Sequence, residues 1–190
     1  MTTEIFENCI LVRDINSIKE LMSVDSSGIA AVVITTENEF QIDDADREYL
    51  SSCCYITMLY SHNLSSFSAD FIMAFDIRLS ENDYYITSEN FKKLNINRYR
   101  LLCGETDTYQ LISSLSSKKS ADYKTRLIKH AGSIEDVKSY CQSLFKEKTS
   151  SEINCLLKCL TAARTGNLEA VFGQESVNFY EMVKQKVQGS

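Results

Sequence analysis

Residues 29–34 read IAAVVI, six consecutive apolar side chains, four of them β-branched. A strand with one face in water alternates apolar and polar residues, because successive side chains point to opposite faces of the sheet. An unbroken apolar run therefore belongs to a strand covered on both faces, as in a parallel sheet with helices above and below. Ile5 to Arg13 and Cys54 to Tyr60 (CYITMLY) read as two further strands. Ile18 to Met22 and Asp43 to Ser52 read as the short helices between them. The order β, α, β, α, β predicts an α/β fold with parallel strands.

Composition removes several function classes. With 190 residues, 44% of them hydrophobic, the chain can bury one core and is expected to form one domain. A net charge of -6 with no basic run leaves no surface on which a phosphate backbone could dominate binding, so nucleic acid is not an expected partner. The start MTTEIFENC lacks a basic segment followed by an apolar one, and no apolar run approaches the roughly 20 residues of a membrane span. The seven cysteines include no CxxC pair, and the two histidines, His62 and His130, are distant in sequence. That pattern predicts no metal site, and reduced thiols in a cytoplasmic protein.

The last third reads as helical. Ser133 to Lys146 places Val137, Cys141 and Leu144 on one face. Thr149-Ser150-Ser151-Glu152 fits a capping box ahead of Ile153, Leu156, Leu157, Leu160 and Ala163 at helical spacing. Gly166 and Asn167 fit the end of that helix and the start of another.

The stretch LSSFSADFIMAFDIRLSEN, residues 64–82, sets small hydroxyl residues before an acid, a short apolar segment and then Asp76 at the head of a strand. It fits either a capped buried helix or a helix start that holds a developing negative charge. Ser65, Ser66 and Ser68 lie in no GxSxG elbow, which argues against a serine hydrolase. Asp43, Asp44 and Asp46 lack the frame of a calcium loop and fit a helix start. Gly104 has no glycine-rich companion for a nucleotide phosphate.

FIMAFDIRLSENDYYITSENFKKLNI resembles the central block of the crotonase (enoyl-CoA hydratase/isomerase) superfamily, in which a glycine-rich turn opens an acid-bearing helix, followed by an apolar-Asp-Ile-Arg strand and a second acid. AAVVITTENEF is similar to the family strand that leads to its first oxyanion loop, and CYITMLYSHNLSSFS to the segment before the helix. LLCGETDTYQLISSLSSKKSADYKTRLI and GNLEAVFGQESVNF are similar to its later block and C-terminal helices, so the resemblance spans about residues 15 to 185.

The resemblance implies a crotonase-like ββα superhelix over residues 1–130 and a C-terminal helical extension over 131–190 that mediates homotrimer or homohexamer contacts. Its substrates are acyl-CoA or acyl-carrier-protein thioesters, with no added cofactor. Two backbone N–H groups stabilise the enolate oxygen in such enzymes. The family's donor positions fall on Phe67, where a glycine usually stands, and on Asp44, within Asp43-Asp44-Ala45, which takes the place of the family's Gly-Ala-Asp. Ser66 and Ser68 fall beside the substrate, and the two catalytic acids on Asp70 and Glu89. Carboxylates beside the first donor oppose a developing oxyanion. Two readings follow: an enzyme of thioester-enolate chemistry (hydration, isomerisation or decarboxylation), or a catalytically inactive scaffold or partner subunit.

Overall fold

The computed structural model describes residues 1–116 and 123–164, with backbone alone at Ser88, Glu89 and Ser116. Its frame is a six-stranded sheet. The chain enters through β1 (Thr2–Phe6) and β2 (Cys9–Arg13), passes α1 (Ile18–Met22) to β3 (Ala31–Thr35), then α2 (Asp44–Ser52) to β4 (Ile56–Ser61), and α3 (Ala69–Ile72) to β5 (Ile77–Ser80). A two-stranded antiparallel pair, β6 (Tyr85–Ile86) and β7 (Tyr123–Lys124), flanks α4 (Ser88–Phe91) and α5 (Ile96–Ser116). The last strand of the main sheet, β8 (Lys129–His130), precedes α6 (Ile134–Phe145) and α7 (Ser150–Arg164). Strand order is β1-β2-β3-β4-β5-β8, antiparallel at β1–β2 and parallel elsewhere.

The single strand expected over Ile5 to Arg13 is instead a hairpin. Phe6 pairs with Cys9 across a turn in which Glu7 takes φ +50°. No glycine marks that turn, because Glu7 itself adopts the left-handed conformation that glycine would occupy without strain. Residues 166–183, read as the end of one helix and the whole of the next, lie outside the described residues.

Period-two alternation explains the two cores. Ile10, Val12, Val32, Ile34 and Leu59 face the side covered by α1, α2, α3 and α5. Cys9, Leu11, Ala31, Val33, Met58 and Tyr60 face the other side, against Val137 and Cys141 of α6. Both faces are thus buried, as the IAAVVI run requires. Each such Ile or Leu removed from water stabilises the fold by about 1.5–3 kcal/mol. Within α5, Gly104 at φ 84°, ψ 170° splits the element into two helices, a backbone region open in practice only to glycine.

Candidate functional site

The site is built where β3 and β4 end and α3 begins. After β3, the buried Thr36 folds the chain back: its Oγ1 donates to the Asn38 carbonyl at 2.7 Å and accepts from the Asn38 N–H at 3.3 Å. Two residues on, Phe40 packs edge-on against Phe71 of α3, with ring centroids 4.9 Å apart. Glu39 lies between these two anchors, so its carboxylate is aimed at the start of α3.

Ser68 is the N-cap of α3, its Oγ accepting from the Phe71 N–H at 3.3 Å. Serine is favoured there because its oxygen satisfies an N–H that has no partner inside the helix. Glu39 completes the arrangement. Its Oε1 accepts from Ser68 Oγ at 2.6 Å and its Oε2 from the Ser68 N–H at 2.8 Å. An anion of the protein itself therefore occupies the N–H aimed out of this helix start.

Phe67, one residue earlier, is 1% exposed, and its N–H donates to the Leu64 carbonyl at 3.0 Å. Its own carbonyl accepts from the buried Tyr84 hydroxyl at 3.0 Å. Burial, reinforced by the charge of Glu39, pushes the Tyr84 hydroxyl up to about 12. Asp70 sits in the first turn of α3, half-buried, with Oδ1 3.4 Å from the Asn95 N–H.

A cavity of about 340 Å³ joins these groups. Ser66, Phe67, Ser68 and Asp70 line it, together with Glu39, Asn90 and Lys93. Four of the six residues singled out from the sequence are thus brought together. Asp44 is not: it stands exposed at the first position of α2, and it does not line the cavity. Asp43 and Asp46 form a reciprocal capping box, with Asp46 N–H to Asp43 Oδ1 at 2.8 Å and Asp43 N–H to Asp46 Oδ2 at 3.2 Å. These acids therefore start a helix, as their spacing predicts. Glu89 belongs to α4, whose Asn90 borders the cavity, but its side chain lies outside the described residues. Glu39 carries no motif that would single it out, since its partner Ser68 is 29 positions away.

No family model matches the chain, and no curated protein matches it in sequence. Solved structures do. An enoyl-CoA hydratase subunit I from Geobacillus kaustophilus HTA426 superposes with TM-score 0.66 at 10% identity, covering 99% of this chain and 91% of that one. The chain has the crotonase fold. An enoyl-CoA hydratase/isomerase from Cupriavidus metallidurans CH34 gives 0.61 at 11% identity, over 96% of this chain and 87% of that one. An enoyl-CoA hydratase from Thermoplasma volcanium GSS1 gives 0.59 at 13% identity, over 96% and 92%. At such identities the likeness carries the fold, and function must be argued from the site.

Asp76, at the head of β5, is a structural group. Its Oδ2 accepts from the N–H and the hydroxyl of Thr57, both at 2.7 Å, and the carboxylate also holds Arg164. Among the described residues no cluster of three or more His, Cys, Asp or Glu is placed to hold a metal, and no helix is long and apolar enough to cross a membrane. Cys9, Cys53, Cys54, Cys103 and Cys141 form no disulfide among the described residues.

Proposed function

We propose that this chain is a crotonase-like enzyme that acts on an acyl thioester, carried by coenzyme A or by a carrier protein, through an enolate stabilised at the start of α3. The observation that supports this reading is the cavity lined by Ser66, Phe67, Ser68 and Asp70, at the first turn of a helix in a chain of the enoyl-CoA hydratase fold. The thioester oxygen takes the place of the Glu39 carboxylate on the Ser68 N–H, and draws on the Phe67 N–H now donated to Leu64. The enolate forms when a C–H bond beside the thioester breaks and its proton goes to a base (isomerisation), when water adds to the β-carbon of an enoyl thioester and gives up a proton (hydration), or when the C–C bond to a carboxylate breaks and CO2 leaves (decarboxylation). In each case the electron pair moves onto that oxygen, where backbone donors lower the barrier. Asp70 and Glu89 give and take the protons of hydration, isomerisation or decarboxylation. The protein is cytoplasmic and works as a homotrimer or homohexamer assembled through residues 131–190.

A specific observation favours a second reading, a catalytically inactive scaffold or partner subunit. The Phe67 N–H is committed to Leu64, and a carboxylate already fills the Ser68 N–H, so the resting site presents a negative charge where an enolate would need donors. Incubation with short-chain enoyl thioesters on coenzyme A and on carrier protein separates the two. The enzyme reading expects product by mass spectrometry and a raised melting temperature in excess thioester. Absence of both effects, with either carrier, leaves the scaffold reading standing and overturns the enzyme.

A further inference from the structure

A larger cavity, about 520 Å³, opens beyond the C-terminal end of α3, between α2, the first half of α5 and the last turn of α7. Three arginines line it: Arg164 of α7, which is paired with Asp76, and Arg47 of α2 and Arg98 of α5, both half-buried. Arg98 is anchored by one bond, Nε to the Met73 carbonyl at 3.0 Å, which leaves its two terminal nitrogens without an acceptor among the described residues. The Arg47 guanidinium has no carboxylate partner among them either. The acid nearest to hand in the same wall, Asp76, is held by Arg164 and Thr57.

That arrangement is costly as it stands. Partial burial, then the like charge of Arg47, lowers the pKa of Arg98. Half-buried charge is ordinarily paired, because removing it from water without a partner is unfavourable. In a chain of net charge -6, two guanidinium groups with no carboxylate in contact among the described residues, Asp70 and Asp76 acting on Arg98 only from further off, form a local exception to the overall acidity. The rest of the wall is partly apolar: Leu50 is buried beneath it, while Leu101 and Leu102 remain 66% and 41% exposed. A volume of this size falls in the range of small-molecule sites, roughly 300–1,000 Å³.

We infer that this cavity binds a small organic carboxylate, its head held by the guanidinium forks of Arg47 and Arg98 and its apolar body laid against Leu50, Leu101 and Leu102. The planar fork matches the two oxygens of a carboxylate and forms charge-assisted bonds of about twice the strength of neutral ones. The leucines select a ligand with a hydrocarbon body over a bare inorganic anion. This site stands on its own observations and does not require thioester chemistry at the start of α3.

Titration calorimetry on the 190-residue chain tests it, with hexanoate as the probe and hexanol and inorganic phosphate as comparisons at matched ionic strength. Hexanoate is expected to bind at least about tenfold more tightly than either comparison. Arg47→Gln is expected to weaken hexanoate about tenfold or more. Because Arg47 pairs with no acid among the described residues and repels Arg98, the unliganded variant should melt no lower than the wild type. Arg98→Lys, which keeps the charge but loses the fork, should also weaken binding. The inference is overturned by undetectable hexanoate binding, by equal binding in Arg47→Gln, by phosphate binding as tightly as hexanoate, or by a lower melting temperature of unliganded Arg47→Gln.

Discussion

Arg164, in the last turn of α7, grips Asp76 from 88 positions away with two nitrogens, Nε to Oδ1 at 3.0 Å and Nη2 to Oδ2. The same guanidinium donates to the carbonyls of Cys53 and Tyr55, so it pins α7 to the segment that enters β4. The two side chains are only 9% and 16% exposed. Removing one partner of such a pair leaves a buried charge unpaired and costs about 3–5 kcal/mol. Asp76→Asn should therefore lower the melting temperature by roughly 6–20 °C at 2–4 °C per kcal/mol. Arg164→Lys should recover only part of the wild-type value, since a lysine cannot make the two-pronged contact. Calorimetric melting of the two variants checks both; an Asp76→Asn melt within about 1 °C of the wild type would contradict the role given to this pair.

Glu39 governs access to the Ser68 N–H in the thioester reading. Its side chain is exposed, so Glu39→Ala should change stability by no more than about 0.5–1 kcal/mol. The same change uncovers one backbone donor, and thioester binding should tighten by about tenfold, the value of one hydrogen bond. Equilibrium binding of a non-hydrolysable acyl-CoA analogue to wild type and variant measures this directly. Equal affinities would show that Glu39 does not compete with the ligand.

Tyr84 gives a pH dependence of known sign. The residue is 1% exposed, and its hydroxyl is pushed from the ordinary 10.0 up to about 12, chiefly by burial. The unfolded chain therefore loses this proton first as pH rises. The contribution, about 2–3 kcal/mol for two units, is complete below pH 10 and is lost between pH 10 and 12. Tyr84→Phe leaves the Phe67 carbonyl without its donor, which should cost about 1–3 kcal/mol at neutral pH. That deficit should shrink or reverse above pH 12, as urea melts across the alkaline range would show. A constant difference at every pH would mean that Tyr84 titrates alike in both states.

Features whose cause is local were legible in the sequence. The last four residues of the IAAVVI run, Ala31 to Ile34, lie in β3 and are buried on both faces, and Ser68 before Ala69 does cap a helix. Ser66, Phe67, Ser68 and Asp70 share a cavity because they share one turn of chain. Long-range pairings left no such trace. Glu39 meets Ser68 across 29 positions, and nothing about either residue's neighbours foretells it. The β1–β2 hairpin was hidden because a glutamate, not a glycine, takes the positive φ at its turn. Strands of two residues, such as β7 and β8, are too short to display a period, and Gly104 divides α5 so that neither half carries a long apolar stripe.

Assembly is a separate expectation. The apolar stripes read over residues 150–183 and the crotonase-like resemblance together imply a trimer or a dimer of trimers. Light scattering at micromolar concentration should report a mass three or six times the 21.6 kDa of one chain. A single species at the mass of one chain would rule out the assigned interface.

Enolate formation leaves a signature that no scaffold can produce: exchange of the hydrogen beside the thioester carbonyl. In deuterated buffer, proton NMR of a short saturated acyl-CoA should show loss of that signal in the presence of wild-type protein. Asp70→Asn should slow the loss by about 100-fold or more while leaving the melting temperature nearly unchanged. Exchange no faster than in buffer alone, or equally fast with Asp70→Asn, would contradict enolate chemistry at this site.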